Sequence, residues 1–214
     1  MLVSYLGEQG AEVSEQLFPS HQQAIPVLRA MMDKGMNTVY AGTCGRLFDA
    51  VSSIIGLCEK STYDGEAAIR LSELANVNVP VDAYNYEIQE HDQKLVFDFS
   101  NMLLQIVDDV KRERDVNEIS TAFHETIVRA LVDGMKRLHQ IYPHNNKKIV
   151  LSGGSFHNRY LKERLIDCLS AAGFGVFTHQ RIPCNDGGLS YGQLMVAAAK
   201  GRTNHVCRST SKSD

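Results

Sequence analysis

The run Leu151-Ser152-Gly153-Gly154-Ser155-Phe156-His157-Asn158 joins an apolar entry, two adjacent glycines and an amide at the head of a helical pattern. Paired glycines let a backbone approach a ligand closely and reach positive φ. A helix N-terminus behind them adds free N–H groups and the positive end of a dipole, which suits phosphate. The Asn158 amide can donate and accept. The run matches neither G-x-x-x-x-G-K-[ST] nor G-x-G-x-x-G. Two readings stay open on the pattern alone: a phosphate cradle, or a tight strand-to-helix turn that needs glycine.

Two further segments carry chemistry. In Gly45-Arg46-Leu47-Phe48-Asp49 a glycine again precedes a helical pattern. Asp49 lies off the Leu47/Val51/Ile55 stripe, so its carboxylate can meet ribose hydroxyls in a cleft or simply favour a helix start. Arg46 suits a phosphate or a neighbouring acid. Pro183-Cys184-Asn185-Asp186-Gly187-Gly188 is dense in turn residues. Asp186 stands where it can cap the next helix or ligate a divalent cation beside a nucleotide. Cys184 adjoins the third segment as either a reactive thiol or a bystander, and His157, inside the Gly-rich turn, is placed where it could touch a ligand. His124, beside Phe123 on a long amphipathic stretch, reads as structural. The remaining histidines, His179 among them, form no H-x-x-x-H pair, and the five cysteines form no C-x-x-C pair. No complete His- or Cys-based metal site is therefore expected within the chain.

Such residues need a scaffold. The 214 residues, 43% hydrophobic and 22% charged, suffice for one domain with its own core. A net charge of −3 argues against a protein built mainly to coat nucleic acid. No apolar run approaches the ~18 residues that span a bilayer, and the N-terminus lacks the order of a secretory signal. Scattered cysteines fit a reducing cytoplasm.

Residues 1–12, with two glycines, read as an irregular lead-in, and the helical pattern of 13–33 should break near Pro19. Apolar spacing predicts helices from Leu47, over 65–75, over 101–112 and over 116–141. Thr38-Val39-Tyr40-Ala41 is a short apolar lead into the first of these. Tyr84, Tyr86 and Ile88, then Leu95, Phe97 and Phe99, alternate with polar residues across Gln89–Gln93, a β-hairpin pattern. Pro143-His144-Asn145-Asn146 should end the longest helix. Buried strands are expected at 148–151 and 175–178, with helices at 158–172 and 188–200. The order of strands and crossover helices predicts an α/β fold.

Taken together the segments resemble a known family. Gly45-Arg46-Leu47-Phe48-Asp49-Ala50-Val51, Tyr63-Asp64-Gly65-Glu66-Ala67-Ala68, Phe123-His124-x-Thr126, Val150-Leu151-Ser152-Gly153-Gly154-x-Phe156-x-Asn158-Arg159 and Asn185-Asp186-Gly187-Gly188-x-Ser190-x-Gly192-Gln193 occur in this order. Their order and spacing resemble the C-terminal part of HypF, the carbamoyltransferase family of [NiFe]-hydrogenase maturation, over about residues 12 to 200. The resemblance implies the second lobe of an actin/Hsp70/sugar-kinase-like (ribonuclease H-like) domain, a mixed sheet flanked by helices with an inserted hairpin. Residues 1–201 would form the lobe and 202–214 a flexible tail.

It also implies a chemistry. Carbamoyl phosphate and ATP give carbamoyl-adenylate, and the carbamoyl group passes to the C-terminal cysteine thiol of a HypE-type acceptor for cyanide ligand synthesis. Gly153, Gly154 and Asn158 match the adenylate-binding turn, and Gly45 and Asp49 the ribose-side helix start. Asp186 matches a carboxylate that joins two histidines, outside this chain, around a divalent metal (Mg, Fe or Zn). The sequence departs from the family at Thr43 and Cys44, where two serines are usual, at Ser155 and His157 within the turn, and at Cys184, where proline is common. The family's upstream domains are expected outside this chain, so the isolated lobe should bind nucleotide weakly without turnover. An O-carbamoyltransferase acting on a small hydroxyl substrate, and a non-catalytic interaction domain, are the other readings. Neither nucleic acid nor membrane is an expected partner.

Overall fold

The computed structural model describes residues 1–39, 41–92, 94–143 and 147–206. Its elements are α1 (Leu2–Leu17), α2 (Ala24–Asp33), α3 (Cys44–Ile54), α4 (Glu66–Leu74), β1 (Glu87–His91), β2 (Lys94–Asp98), α5 (Ser100–Lys111), α6 (Val116–Ile141), β3 (Lys148–Leu151), α7 (Arg159–Ala171), β4 (Gly175–Thr178) and α8 (Leu189–Val206).

Helix α6 is the axis. Asp115 starts it by accepting from the N–H groups of Asn117 at 2.8 Å and Glu118 at 3.3 Å. Residues 119–128 are buried without a break, and the helix packs against α4, α5 and α7. An enclosed helix must satisfy its polar side chains internally. Ser120 Oγ donates to the Leu71 carbonyl at 2.7 Å. The Thr121 hydroxyl donates to the Asn117 carbonyl and accepts from the Asn76 N–H. Thr126 donates to the Ala122 carbonyl and accepts from the Tyr84 N–H at 2.8 Å. These hydroxyls pin α4 and both ends of the following loop to the core.

Glu125 ties α6 to α7. It accepts from Tyr160 Oη at 2.7 Å and from Arg164 Nε and Nη2 at 2.6 and 3.1 Å. Burial pushes the Glu125 carboxyl up, but the bonds from Arg164 and Tyr160 outweigh it and hold the group below the ordinary carboxylate range.

Strands β3 and β4 pair in parallel, with Leu151 opposite Thr178, and α7 forms the crossover that such pairing requires. Their carboxyl ends therefore open side by side, the edge where α/β folds present ligand-binding turns. The hairpin β1–β2 is a second, antiparallel sheet with Ile88 opposite Phe97. The α/β fold thus takes a helix-rich form, and among the described residues its strands make two small sheets, one parallel and one antiparallel. Among the described residues no helix is long and apolar enough to cross a membrane.

Local structure differs from the sequence expectation at both ends. The expected irregular lead-in is helix α1, bent at Gly7; burial of Leu2, Val3, Ala11 and Val13 overrides the low helix propensity of its two glycines. The break near Pro19 is present, as a 3₁₀ turn over Pro19–His21. Helix α8 runs to Val206, into the stretch expected to be a tail, while 207–214 lie outside the described residues. So do Tyr40, Gln93 and residues 144–146, on which parts of the 38–41, hairpin-turn and 143–146 expectations fall.

Candidate functional site

Gly153 follows the carboxyl end of β3 with φ 110° and ψ 160°, a backbone conformation open essentially to glycine alone. Gly154–His157 then forms a 3₁₀ turn, and α7 begins only at Arg159. The turn's N–H groups are divided between two uses. The Gly153 N–H donates to the Cys184 carbonyl at 2.8 Å, and the Phe156 N–H to the Gly153 carbonyl at 3.1 Å. The N–H groups of Gly154 and Ser155 have no partner among the described residues.

Asn158 is committed inward. Its Oδ1 accepts from the Leu161 N–H at 3.0 Å and caps α7. Its Nδ2 donates to His124 Nε2 at 2.8 Å. His124 Nδ1 lies 2.7 Å from the Ser120 carbonyl, which assigns the ring proton to Nδ1 and leaves Nε2 as acceptor. The imidazole is fully buried, edge-on to Phe48, Phe123 and Tyr160 at 5.3–5.4 Å between centroids. Burial pulls its pKa down to about 4, against smaller opposing effects of the Ser120 carbonyl and Glu125. A neutral histidine in the core thus orients the amide that shapes the turn. The structural role expected for His124 is present, and the free helix N-terminus expected behind the glycines is instead capped by Asn158.

The other two segments meet the turn from either side. At the head of α3 the Cys44 thiol, pushed up by burial and partly offset by a hydrogen bond with Ser155, touches the Gly-rich turn directly. Next to it Gly45 is exposed. Asp49, its side chain 16% exposed, pairs with Arg46 at 3.2 Å. The acid is therefore the partner Arg46 takes here, and a ribose hydroxyl at Asp49 would share that carboxylate. On the opposite side the Cys184 carbonyl clasps Gly153, bringing the loop of Asp186 to the turn.

In that loop Asn185, not Asp186, supplies the cap, its Oδ1 accepting from the Gly187 N–H at 3.1 Å. The Asp186 side chain is exposed, and its carboxylate has no hydrogen-bond or ion-pair partner among the described residues; only its backbone carbonyl is used, accepting from the Leu189 N–H. A free carboxylate fits a single oxygen ligand of a divalent cation. It does not fit a whole site, since no group of three or more His, Cys, Asp and Glu among the described residues could hold a metal. Any metal here needs ligands beyond those the described residues supply.

Gly188 closes the loop under strict spacing. A Cβ on it would stand 2.6 Å from the Pro183 carbonyl oxygen and 2.9 Å from Ile182 Cγ2. Gly188→Ala is expected to cost about 1–3 kcal/mol through overpacking and to loosen the clasp, measured as faster hydrogen exchange at the Gly153 amide. Unchanged exchange would separate Gly188 from the clasp.

Turn and loop line a cavity of about 740 Å³ together with α8, which contributes Tyr191, Gln193 and Lys200 among others. Two of its lining residues had no role in the sequence reading. Ser152 Oγ and His179 Nε2 lie 2.8 Å apart, each the first residue beyond a strand of the parallel pair. The only sequence signal was position: both directly follow short buried-strand patterns.

Comparison with known proteins shows the family. The family model described as "Carbamoyltransferase, Kae1-like Domain, second subdomain" matches residues 1–193. The chain is 32% identical over 195 residues to the carbamoyltransferase HypF of Rhodobacter capsulatus, covering 91% of this chain and 24% of that protein. It is 27% identical over 198 residues to a probable carbamoyltransferase HypF of Methanocaldococcus jannaschii, covering 90% and 24%. The crystal structure of full-length HypF in its phosphate- and nucleotide-bound form matches with a TM-score of 0.79 at 34% identity, over 94% of this chain and 26% of that one. HypF of T. kodakarensis shares the fold, with a TM-score of 0.67 at 18% identity. The chain thus spans about a quarter of the length of these relatives. By this family match over residues 1–193 and these relatives, this chain belongs to the HypF carbamoyltransferase family, as the second subdomain of its Kae1-like domain.

Proposed function

We propose that the chain is the nucleotide-side lobe of a cytoplasmic hydrogenase-maturation carbamoyltransferase. Its substrates are carbamoyl phosphate and ATP, its intermediate is carbamoyl-adenylate, and its acceptor is the C-terminal cysteine of a HypE-type protein. The product serves cyanide ligand synthesis on the [NiFe] centre. The observation that carries this reading is the Gly153 N–H···Cys184 carbonyl bond, which sets a glycine turn and a free carboxylate loop together at the carboxyl ends of β3 and β4. The nucleotide and phosphate in the matching full-length HypF structure support it.

In this reading the lobe positions rather than supplies a general base. The turn at Gly153 and Gly154 takes the adenylate phosphate, with Asn158 holding the turn's shape. Gly45 and Asp49 face the ribose. The acceptor thiolate attacks the carbamoyl carbon and a carbon–sulfur bond forms. The bond to the adenylate oxygen breaks, and AMP leaves with the electron pair. Orientation of the two reactants contributes most, and the open N–H groups of Gly154 and Ser155 stabilise charge on the departing phosphate. A divalent cation held by Asp186 and by ligands outside this chain would neutralise phosphate charge.

A chimera in which this chain replaces the matching quarter of Rhodobacter capsulatus HypF tests the proposal. Carbamoyl-phosphate-dependent release of pyrophosphate from ATP is the expected result, with thiocarbamate appearing on the acceptor cysteine. A folded chimera that neither binds ATP nor turns over would overturn the reading. Transfer to a small hydroxyl compound in place of the thiol would redirect it.

A further inference from the structure

We propose that Ser152 and His179 form a side-chain donor pair that holds the phosphate group of an adenine nucleotide beside the Gly-rich turn; this rests on the nucleotide reading given above. Their oxygen and nitrogen are 2.8 Å apart, both residues are exposed, and both line the 740 Å³ cavity with Gly153 and Asp186. The pairing is a product of register. Leu151 and Thr178 stand opposite each other in the parallel sheet, so the next residue of each strand emerges at the same carboxyl edge.

The turn itself is short of donors. Gly153 gives its N–H to Cys184, and Asn158 gives its amide to His124 and the α7 cap. Only the N–H groups of Gly154 and Ser155 are open among the described residues, whereas a phosphate presents three oxygens that each accept more than one hydrogen bond. Ser152 directly precedes the turn and meets that need. With His179 Nε2–H donating to Ser152 Oγ, the serine hydroxyl proton is left to donate outward to an anion. A hydroxyl that accepts one hydrogen bond while donating another is a polarised, stronger donor. His179 is accordingly a positioning residue acting through Ser152, and Ser152 the direct contact.

The test compares AMP, adenosine and inorganic phosphate as probes of the 214-residue chain by amide NMR titration, which reads millimolar affinities. The wild-type chain is expected to bind AMP about 10-fold more tightly than adenosine, the order of one charge-assisted hydrogen bond. Ser152→Ala and His179→Ala should each erase most of that preference while leaving adenosine affinity unchanged, an outcome that simple structural damage does not produce. Ser152→Thr and His179→Gln, which keep a hydroxyl and an N–H near the same positions, should restore it. Both wild-type residues are exposed, so folding is retained in all four variants, checked by their amide spectra. Alanine variants that keep the full AMP preference overturn the pair and leave the nucleotide reading standing. Equal affinity of the wild-type chain for AMP and adenosine does the same. Failure of the wild-type chain to bind any of the probes overturns the pair, and failure of the chimera to bind ATP as well overturns the nucleotide reading with it.

Discussion

Acidification from neutral pH to pH 4 is expected to remove on the order of 3 kcal/mol of folding stability through the single side chain of His124. The imidazole is fully buried and neutral, with a pKa lowered from 6.5 to about 4 chiefly by burial. In the unfolded chain the same group takes up a proton near 6.5. Between those values the unfolded state binds more protons, so stability rises with pH and is lost as pH falls below 6.5, levelling off beneath about 4. The physical cost is concrete. A protonated ring would have to shed its bond from Asn158, because Nε2 would no longer accept, and would sit as a cation among Phe48, Phe123 and Tyr160.

His124→Gln removes the titration while retaining an amide oxygen that can face Asn158. Urea unfolding of both proteins at intervals from pH 7 to pH 4 should show a wild-type curve that falls more steeply than that of the variant. Parallel curves would sink the assignment. Since Asn158 shapes the turn, nucleotide affinity of the wild-type chain should decline over the lower part of the same range.

Gly153→Ala is the second large effect. A Cβ at this position would meet no atom within 4 Å, so crowding contributes nothing. Cost comes from the backbone: φ 110° with ψ 160° is strained for any L side chain by about 1–3 kcal/mol. The alanine variant escapes by rotating to negative φ, which takes the Gly153 N–H away from the Cys184 carbonyl and separates turn from loop. Nucleotide affinity is expected to fall about 10-fold or more with it. Gly154 provides the internal control. Its φ is not positive, and the nearest atom to a Cβ there is Asn185 Cβ at 4.0 Å. Gly154→Ala should therefore change stability by no more than about 0.5 kcal/mol. Thermal unfolding of the two variants side by side checks the stability difference, and AMP titration of Gly153→Ala reads the affinity loss; equal losses of stability would show that glycine at 153 is not required for its conformation.

Period and punctuation in the sequence determined most of the elements. The span 116–141 and the strands 148–151 and 175–178 coincide with α6, β3 and β4. Each is bounded by residues that stop its period, such as Asp115 as an N-cap and Pro143 beyond the last turn of α6. Where a local rule competes with burial, local reading fails. Two glycines suggested an irregular start, yet packing of Leu2 and Ala11 makes α1 helical. Asp186 and its neighbour Asn185 are equally good caps by residue type, and only the loop's backbone path decides for Asn185.

The candidate site divides in the same way. Residue types marked Gly45, Asp49, Gly153, Gly154, Asn158 and Asp186, because glycine pairs and helix-start carboxylates are local signals. What those residues do to one another was decided by tertiary structure. His124 reaches Asn158 across 34 residues, and Ser152 meets His179 across 27. Neither pair has a spacing that any helix or strand period encodes. The first exists because α6 and α7 pack face to face in the core, and the second because parallel pairing sets Leu151 against Thr178. Periodicity is a property of one segment, whereas a hydrogen bond between segments depends on how their buried faces fit, and that geometry exists only once the chain has folded.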